Sequence, residues 1–163
     1  MRLFILSMFV VLFLVSHAAG QTPRISADDF RVLAGARWTG TLVYRDYGSN
    51  KEVSIRANLV VTRDGSSWVF EYEYPDEPKA NSRRTVTLSD GGTQIDDEKV
   101  VERTSLDHGA VRIVTERRGT DNDRAAIFRY TYLIDASSFS IRKEVRPEGA
   151  TEFFERNRYS WKR

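Results

Sequence analysis

Apolar and polar residues alternate along most of this chain. Trp38, Gly40, Leu42 and Tyr44 alternate with Thr39, Thr41, Val43 and Arg45. Val53, Ile55, Ala57, Leu59 and Val61 alternate with mostly polar residues. Trp68, Phe70, Tyr72 and Tyr74 form an aromatic row, with Glu71 and Glu73 between them. A period of two with one apolar face predicts half-buried strands. Weaker runs follow over 84–89, 99–104 and 110–117. The run 126–134 is apolar on both faces, as a central strand would be. The runs 138–145 and 151–161 come last.

Turn residues punctuate these runs. They include Asp64-Gly65, Asp90-Gly91-Gly92, Asp107-His108-Gly109 and Pro147-Glu148-Gly149. Pro75 to Ser82 forms a longer, proline-stiffened loop. One helix is signalled before the strands. Ser26 caps it, Asp29 reaches back three residues later, and Ile25 with Phe30 forms a hydrophobic staple. Gly35 supplies the stop, which predicts a short helix over 27–34. The pattern predicts an all-β fold: a single antiparallel up-and-down barrel of about 8–10 strands with one short N-terminal helix.

The start of the chain departs from this pattern. Met1-Arg2 precede an uncharged apolar run from Leu3 to Val15, and small residues follow at Ser16, Ala18, Ala19 and Gly20. A membrane-spanning helix needs about 20 apolar residues, and this run is shorter. The segment 1–20 reads as a cleavable signal peptide, with 21–163 as one domain. The expected location is secreted or periplasmic, with no stable membrane span after leader removal. No cysteine follows the apolar run, so the anchor of a bacterial lipoprotein is missing.

Composition narrows the chemistry. The chain has no cysteine, which removes disulfides, thiol catalysis, zinc–thiolate sites and iron–sulfur clusters. Its 25 Lys and Arg oppose 23 Asp and Glu. The leader holds only Arg2 of these, so the remainder is nearly balanced. Nucleic acid is not an expected partner, because that needs a clustered basic surface.

The short capped helix, then Gly35-Ala36-Arg37-Trp38, then an up-and-down series of strands resembles the lipocalin and wider calycin pattern. Two residues separate Gly35 from Trp38, where that family usually has one. In that family a tryptophan on the first strand packs beneath a late arginine, and the helix closes the bottom of the barrel. The resemblance therefore implies Trp38 as the barrel-closing residue, Arg156 or Arg158 as its cover, and a ligand-binding interior. A closed barrel of about eight strands can hold one small ligand.

Candidate ligand contacts come from two places. Trp68, Phe70, Tyr72, Tyr130 and Tyr132 could line a pocket, with tyrosine hydroxyls as polar points; plain core packing uses the same residues. Arg156 and Arg158 lie on the last hairpin. If Arg146 pairs with Gly149, both arginines face the side of Phe139, Ile141 and Val145. Buried arginines need an anionic partner, which a carboxylate-bearing ligand would supply. A slip of one residue turns Phe153, Tyr159 and Trp161 inward instead.

No catalytic residue stands out. His108 lies between Asp107 and Gly109 in a turn, without a nucleophile motif. Asp121-Asn122-Asp123 and Asp96-Asp97-Glu98 lack the oxygen spacing of a calcium loop. No metal site and no cofactor is expected. The sequence leads to an exported barrel that binds a small hydrophobic or amphipathic ligand. Two alternatives remain open: a filled barrel acting as a structural or interaction module, and a hydrolase on a β scaffold with unassigned carboxylates.

Overall fold

The computed structural model describes residues 22–163, so the segment read as a signal peptide lies outside the described residues. The helix α1 (Ala27–Arg31) is followed by eleven strands: β1 (Arg37–Arg45), β2 (Glu52–Arg56), β3 (Asn58–Asp64), β4 (Ser67–Glu73), β5 (Ser82–Ser89), β6 (Gln94–Ile95), β7 (Glu98–Ser105), β8 (Val111–Asp121), β9 (Arg124–Ile134), β10 (Ser138–Pro147) and β11 (Phe154–Lys162). All pairings are antiparallel and nearly all join neighbours in sequence. β11 also pairs with β1, from Thr39↔Lys162 to Tyr44↔Asn157, and this closes the barrel.

The nine apolar runs become eleven strands for two reasons. The short β6 has too few residues to show a period. The run 53–61 is interrupted at Ala57, yet its register against β1 does not change. Arg45↔Glu52 and Thr41↔Arg56 lie on one side of the break, and Trp38↔Leu59 and Arg37↔Val60 on the other. At the break itself the Ala57 N–H still donates to the Gly40 carbonyl at 2.9 Å. β2 and β3 are therefore one bent strand. β3 continues into the barrel wall through β4, and β2 extends beyond it.

Closure depends on Gly40. It pairs with Trp161 at the β1–β11 seam. A methyl group there would overlap the Ser160 carbonyl oxygen and the Trp161 indole. Only glycine lets the two backbones approach this closely.

α1 seals one end, here called the bottom. The Ser26 N–H donates to Asp29 Oδ2 at 2.9 Å. Asp29 also accepts two bonds from Arg103 on β7, at 3.0 and 2.7 Å, which ties the helix to the barrel wall. The α-helical segment stops at Arg31, earlier than the pattern suggested, and turns carry the chain to Gly35, whose φ is +77°. Ile25, Phe30 and Leu33 from this region pack into the barrel with Trp38, Leu59, Trp68, Phe70, Ile113, Ile134, Phe139 and Trp161.

Trp38 is fully buried, and its indole N–H donates to the Leu33 carbonyl at 2.9 Å. That satisfies one of the carbonyls left open where the helix ends. Its cover is neither Arg156 nor Arg158. Arg163 lies over the ring, its guanidinium carbon 4.8 Å from the centroid. The reason is distance along the strand. Arg156 and Arg158 sit toward the opposite end of β11, whereas Lys162 pairs with Thr39 beside Trp38.

Candidate functional site

Paired residues on antiparallel strands share a face, so the register sorts the interior into tiers. The lowest tier across the seam is Gly40, Trp161, Phe139, Ile134 and Val111. The next is Leu42, Tyr159, Ile141, Tyr132 and Ile113. The third is Tyr44, Asn157, Lys143, Tyr130 and Thr115. Above it come Val145, Phe128 and Arg117, then Ala126 and Gly119. Polar side chains enter at the third tier, and above it Phe128, Val145 and Ala126 form a second, small buried apolar cluster. The bottom is a packed aromatic core, and toward the top the half-buried Lys143, Tyr130 and Arg117 surround that small cluster at the mouth.

The aromatic candidates divide accordingly. Trp68 and Phe70 are each 1% exposed. They pack in the lower core, Trp68 against Phe30 at 6.4 Å and Phe70 against Phe139 at 6.2 Å between centroids. Tyr72 lies higher, 5.5 Å from Tyr159 and 6.1 Å from Trp161. Tyr159 stacks on Trp161 at 5.0 Å, and its hydroxyl meets that of Tyr74 at 2.7 Å. Tyr132 is buried at the second tier, and Tyr130 is half-buried at the third.

A buried ionic network separates core from mouth. Glu98 on β7 is 1% exposed. Its Oε2 accepts from the Thr115 hydroxyl at 2.6 Å and the Tyr132 hydroxyl at 2.8 Å. Its Oε1 accepts from Arg84 Nη2 at 3.1 Å, and Arg84 also donates to Asp96 at 2.8 Å. Four strands thus meet at one carboxylate. Burial pushes the Tyr132, Tyr72 and Tyr159 phenols above their ordinary range. All three are neutral near pH 7, and Tyr132 acts as a donor to Glu98.

Above the network the mouth is cationic. Arg117 Nη2 donates to the Tyr130 hydroxyl at 3.3 Å, and its guanidinium lies 4.7 Å from the Phe128 centroid. Lys143 Nζ lies 4.2 Å from the same ring. Acids lie close to these cations: Asp97 is 3.6 Å from Arg117 and largely exposed, Asp121 is 3.9 Å from Arg156, and Glu144 pairs with Arg142 at 3.6 Å. Burial draws the Lys143 ammonium below its ordinary pKa, with Arg117 and Arg156 adding to the effect and Asp121 and Glu98 opposing it.

The last hairpin corrects the first of its two expected registers. Ile141 pairs with Tyr159, and Phe139 with Trp161. The loop after Pro147 pairs Val145 with Phe154, an even displacement that keeps the expected faces, and the one-residue shift between Lys143 and Glu144 then makes the displacement odd. Tyr159 and Trp161 therefore point inward, as the slipped register requires. Arg158 is on the outer face, 3.2 Å from Glu155. Phe153 is held outside the tiers, with Arg129 3.9 Å from its ring centroid.

Arg156 reaches the mouth by a different route. Lys143 pairs with Asn157 and Glu144 with Glu155, so Arg156 is the extra residue of a β-bulge. A bulge re-aims its side chain. Arg156 donates to the Arg45 carbonyl and lies 3.2 Å from the Tyr47 ring centroid. Its side chain is only 12% exposed.

The sequence pattern did not single out Lys143 or Arg117, and it presented Glu98 only within the run Asp96-Asp97-Glu98. Lys143 carried a usable signal. Along its strand the inward positions read Phe139, Ile141, Lys143, Val145, and a lysine inside an apolar face needs a reason. Arg117 follows Ile113 and Thr115 in the same way. Glu98 had only the acidic run around it, which read as a turn. His108 sits in an exposed loop with φ +57°.

A recess of about 260 Å³ opens on the rim beside this site, lined in part by Arg118, Gly119, Ala126, Arg146 and Pro147. Gly119 and Ala126 belong to the tier above Phe128, so the recess adjoins the mouth. Neither a protein-family model nor a curated protein matches the chain.

Proposed function

We propose that this chain is an exported, lipocalin-like binding protein whose barrel mouth takes a small amphipathic molecule. The observation that carries this reading is the change in the interior at the third tier. Below it, aromatic side chains fill the barrel. Above it, the half-buried Arg117 and Lys143 lie against the Phe128 ring, with the half-buried Tyr130 beside them. A ligand there would set an anionic group against the cations and its apolar part against the rings. Sites of this kind combine an apolar wall with a few placed polar groups. The stacking of Arg163 on Trp38 supports the lipocalin-like assignment, and the leader at 1–20 supports export.

The filled lower core favours a second reading, in which the barrel is a scaffold for surface interactions. Titration with dodecanoate, followed by calorimetry and native mass spectrometry, separates the two. Stoichiometric binding that weakens in Lys143→Met and Arg117→Gln supports the ligand reading. Absence of binding by the folded protein sinks it in favour of the scaffold.

A further inference from the structure

Lys143 is unlike the other lysines of this chain. Lys51, Lys79, Lys99 and Lys162 are exposed, whereas Lys143 is half-buried on the inner wall. Tyr130 and Asn157 flank it on the neighbouring strands. The Phe128 face lies against its ammonium. Arg117 on β8 and Arg156 on β11 bring two further positive charges to the same mouth, Arg117 facing Asp97 at 3.6 Å and Arg156 facing Asp121 at 3.9 Å. A lysine whose charge is disfavoured by burial and by neighbouring cations is an available nucleophile.

We propose that Lys143 captures small carbonyl compounds that carry an anionic group, forming an imine within the barrel mouth. This rests on the reading of the mouth as the ligand site and names the class of ligand. The lowered ammonium pKa agrees with the geometry, because more of the amine is free near neutral pH. In the step itself the Nζ lone pair attacks the carbonyl carbon and a C–N bond forms. The carbonyl oxygen takes up two protons, one released by the amine and one from solvent, and leaves as water. The product is a protonated imine, and no oxidant or reductant is consumed. Arg117 receives the anionic group in exchange for the largely exposed Asp97, now 3.6 Å away, and the Phe128 and Tyr130 rings flank the ligand body. Asn157, beside Lys143 on β11, offers an amide to the departing oxygen.

The test uses the purified protein with 4-formylbenzoate and cyanoborohydride, which reduces an imine to a stable amine. Benzaldehyde serves as the neutral comparator. Intact mass and peptide mapping then locate the adduct. The expected result is one addition per chain at Lys143, about tenfold faster than at any exposed lysine. It is lost in Lys143→Arg, and Arg117→Gln removes the preference for the charged aldehyde over benzaldehyde. Labelling spread evenly over the five lysines, with the circular dichroism of the folded protein intact, overturns the proposal. Dodecanoate binding without Lys143 labelling retains the mouth as a ligand site and removes the imine. Lys143 labelling without dodecanoate binding retains the imine and removes the amphipathic ligand.

Discussion

The hydroxyl of Tyr132 donates to Glu98 across 2.8 Å inside the barrel. That bond marks the boundary between the packed core and the polar mouth. It also makes Glu98 the residue on which Arg84, Thr115 and Tyr132 converge. Removing Glu98 leaves the buried Thr115 and Tyr132 hydroxyls without an acceptor, while Arg84 keeps Asp96. Glu98→Ala is expected to destabilise the fold by about 1–3 kcal/mol for each stranded hydroxyl. Urea unfolding read by fluorescence measures this; a loss below about 1 kcal/mol would show that the two hydroxyls reach solvent instead.

Trp38 and Arg163 test the closed bottom. Trp38→Phe keeps much of the packing but leaves the Leu33 carbonyl without its donor. A cost of about 1–3 kcal/mol follows from that buried acceptor. Arg163→Ala removes a cation over an aromatic ring and an exposed hydrogen bond to the Ala136 carbonyl, and should cost about 0.5–1 kcal/mol. Thermal denaturation of both variants should rank them in this order.

Gly40 tests the seam. Gly40→Val forces a side chain into the Ser160 carbonyl and the Trp161 indole. Overpacking of this kind costs about 1–3 kcal/mol or more. Because the clash lies between β1 and β11, the loss should be local before it is global. Hydrogen exchange should accelerate first at residues 39–44 and 157–162. Uniform acceleration over all strands would contradict a seam held by this glycine.

The buried tyrosines set the alkaline limit. Burial raises the folded pKa of Tyr72, Tyr132 and Tyr159 above the ordinary value of 10.0. Above that value the unfolded chain gives up these protons while the folded chain keeps them. Stability is therefore retained below about pH 10 and falls as pH rises beyond it. Absorbance at 295 nm during a pH titration should show these phenols ionising together with unfolding. Smooth ionisation of all tyrosines near pH 10 in the folded protein would argue against their burial.

Alternation along the chain was enough to establish the strands, because a half-buried strand must carry its apolar residues at every second position. It also placed Trp68, Phe70 and Tyr72 on one inward face, and local chemistry located the Ser26–Asp29 cap, though not the helix end, which came at Arg31. These features depend on neighbours in sequence. What the tertiary structure decided depends on residues far apart. Closure came from Gly40 meeting Trp161, and the inward turn of Tyr159 came from the one-residue bulge at Arg156. Arg156 entered the mouth through a bulge, Arg158 did not, and Arg163 took the place over Trp38. The polar site needed β5, β7, β8, β9, β10 and β11 together. No local pattern encodes such a convergence, because each strand contributes only one to three residues and only the barrel's register brings them together.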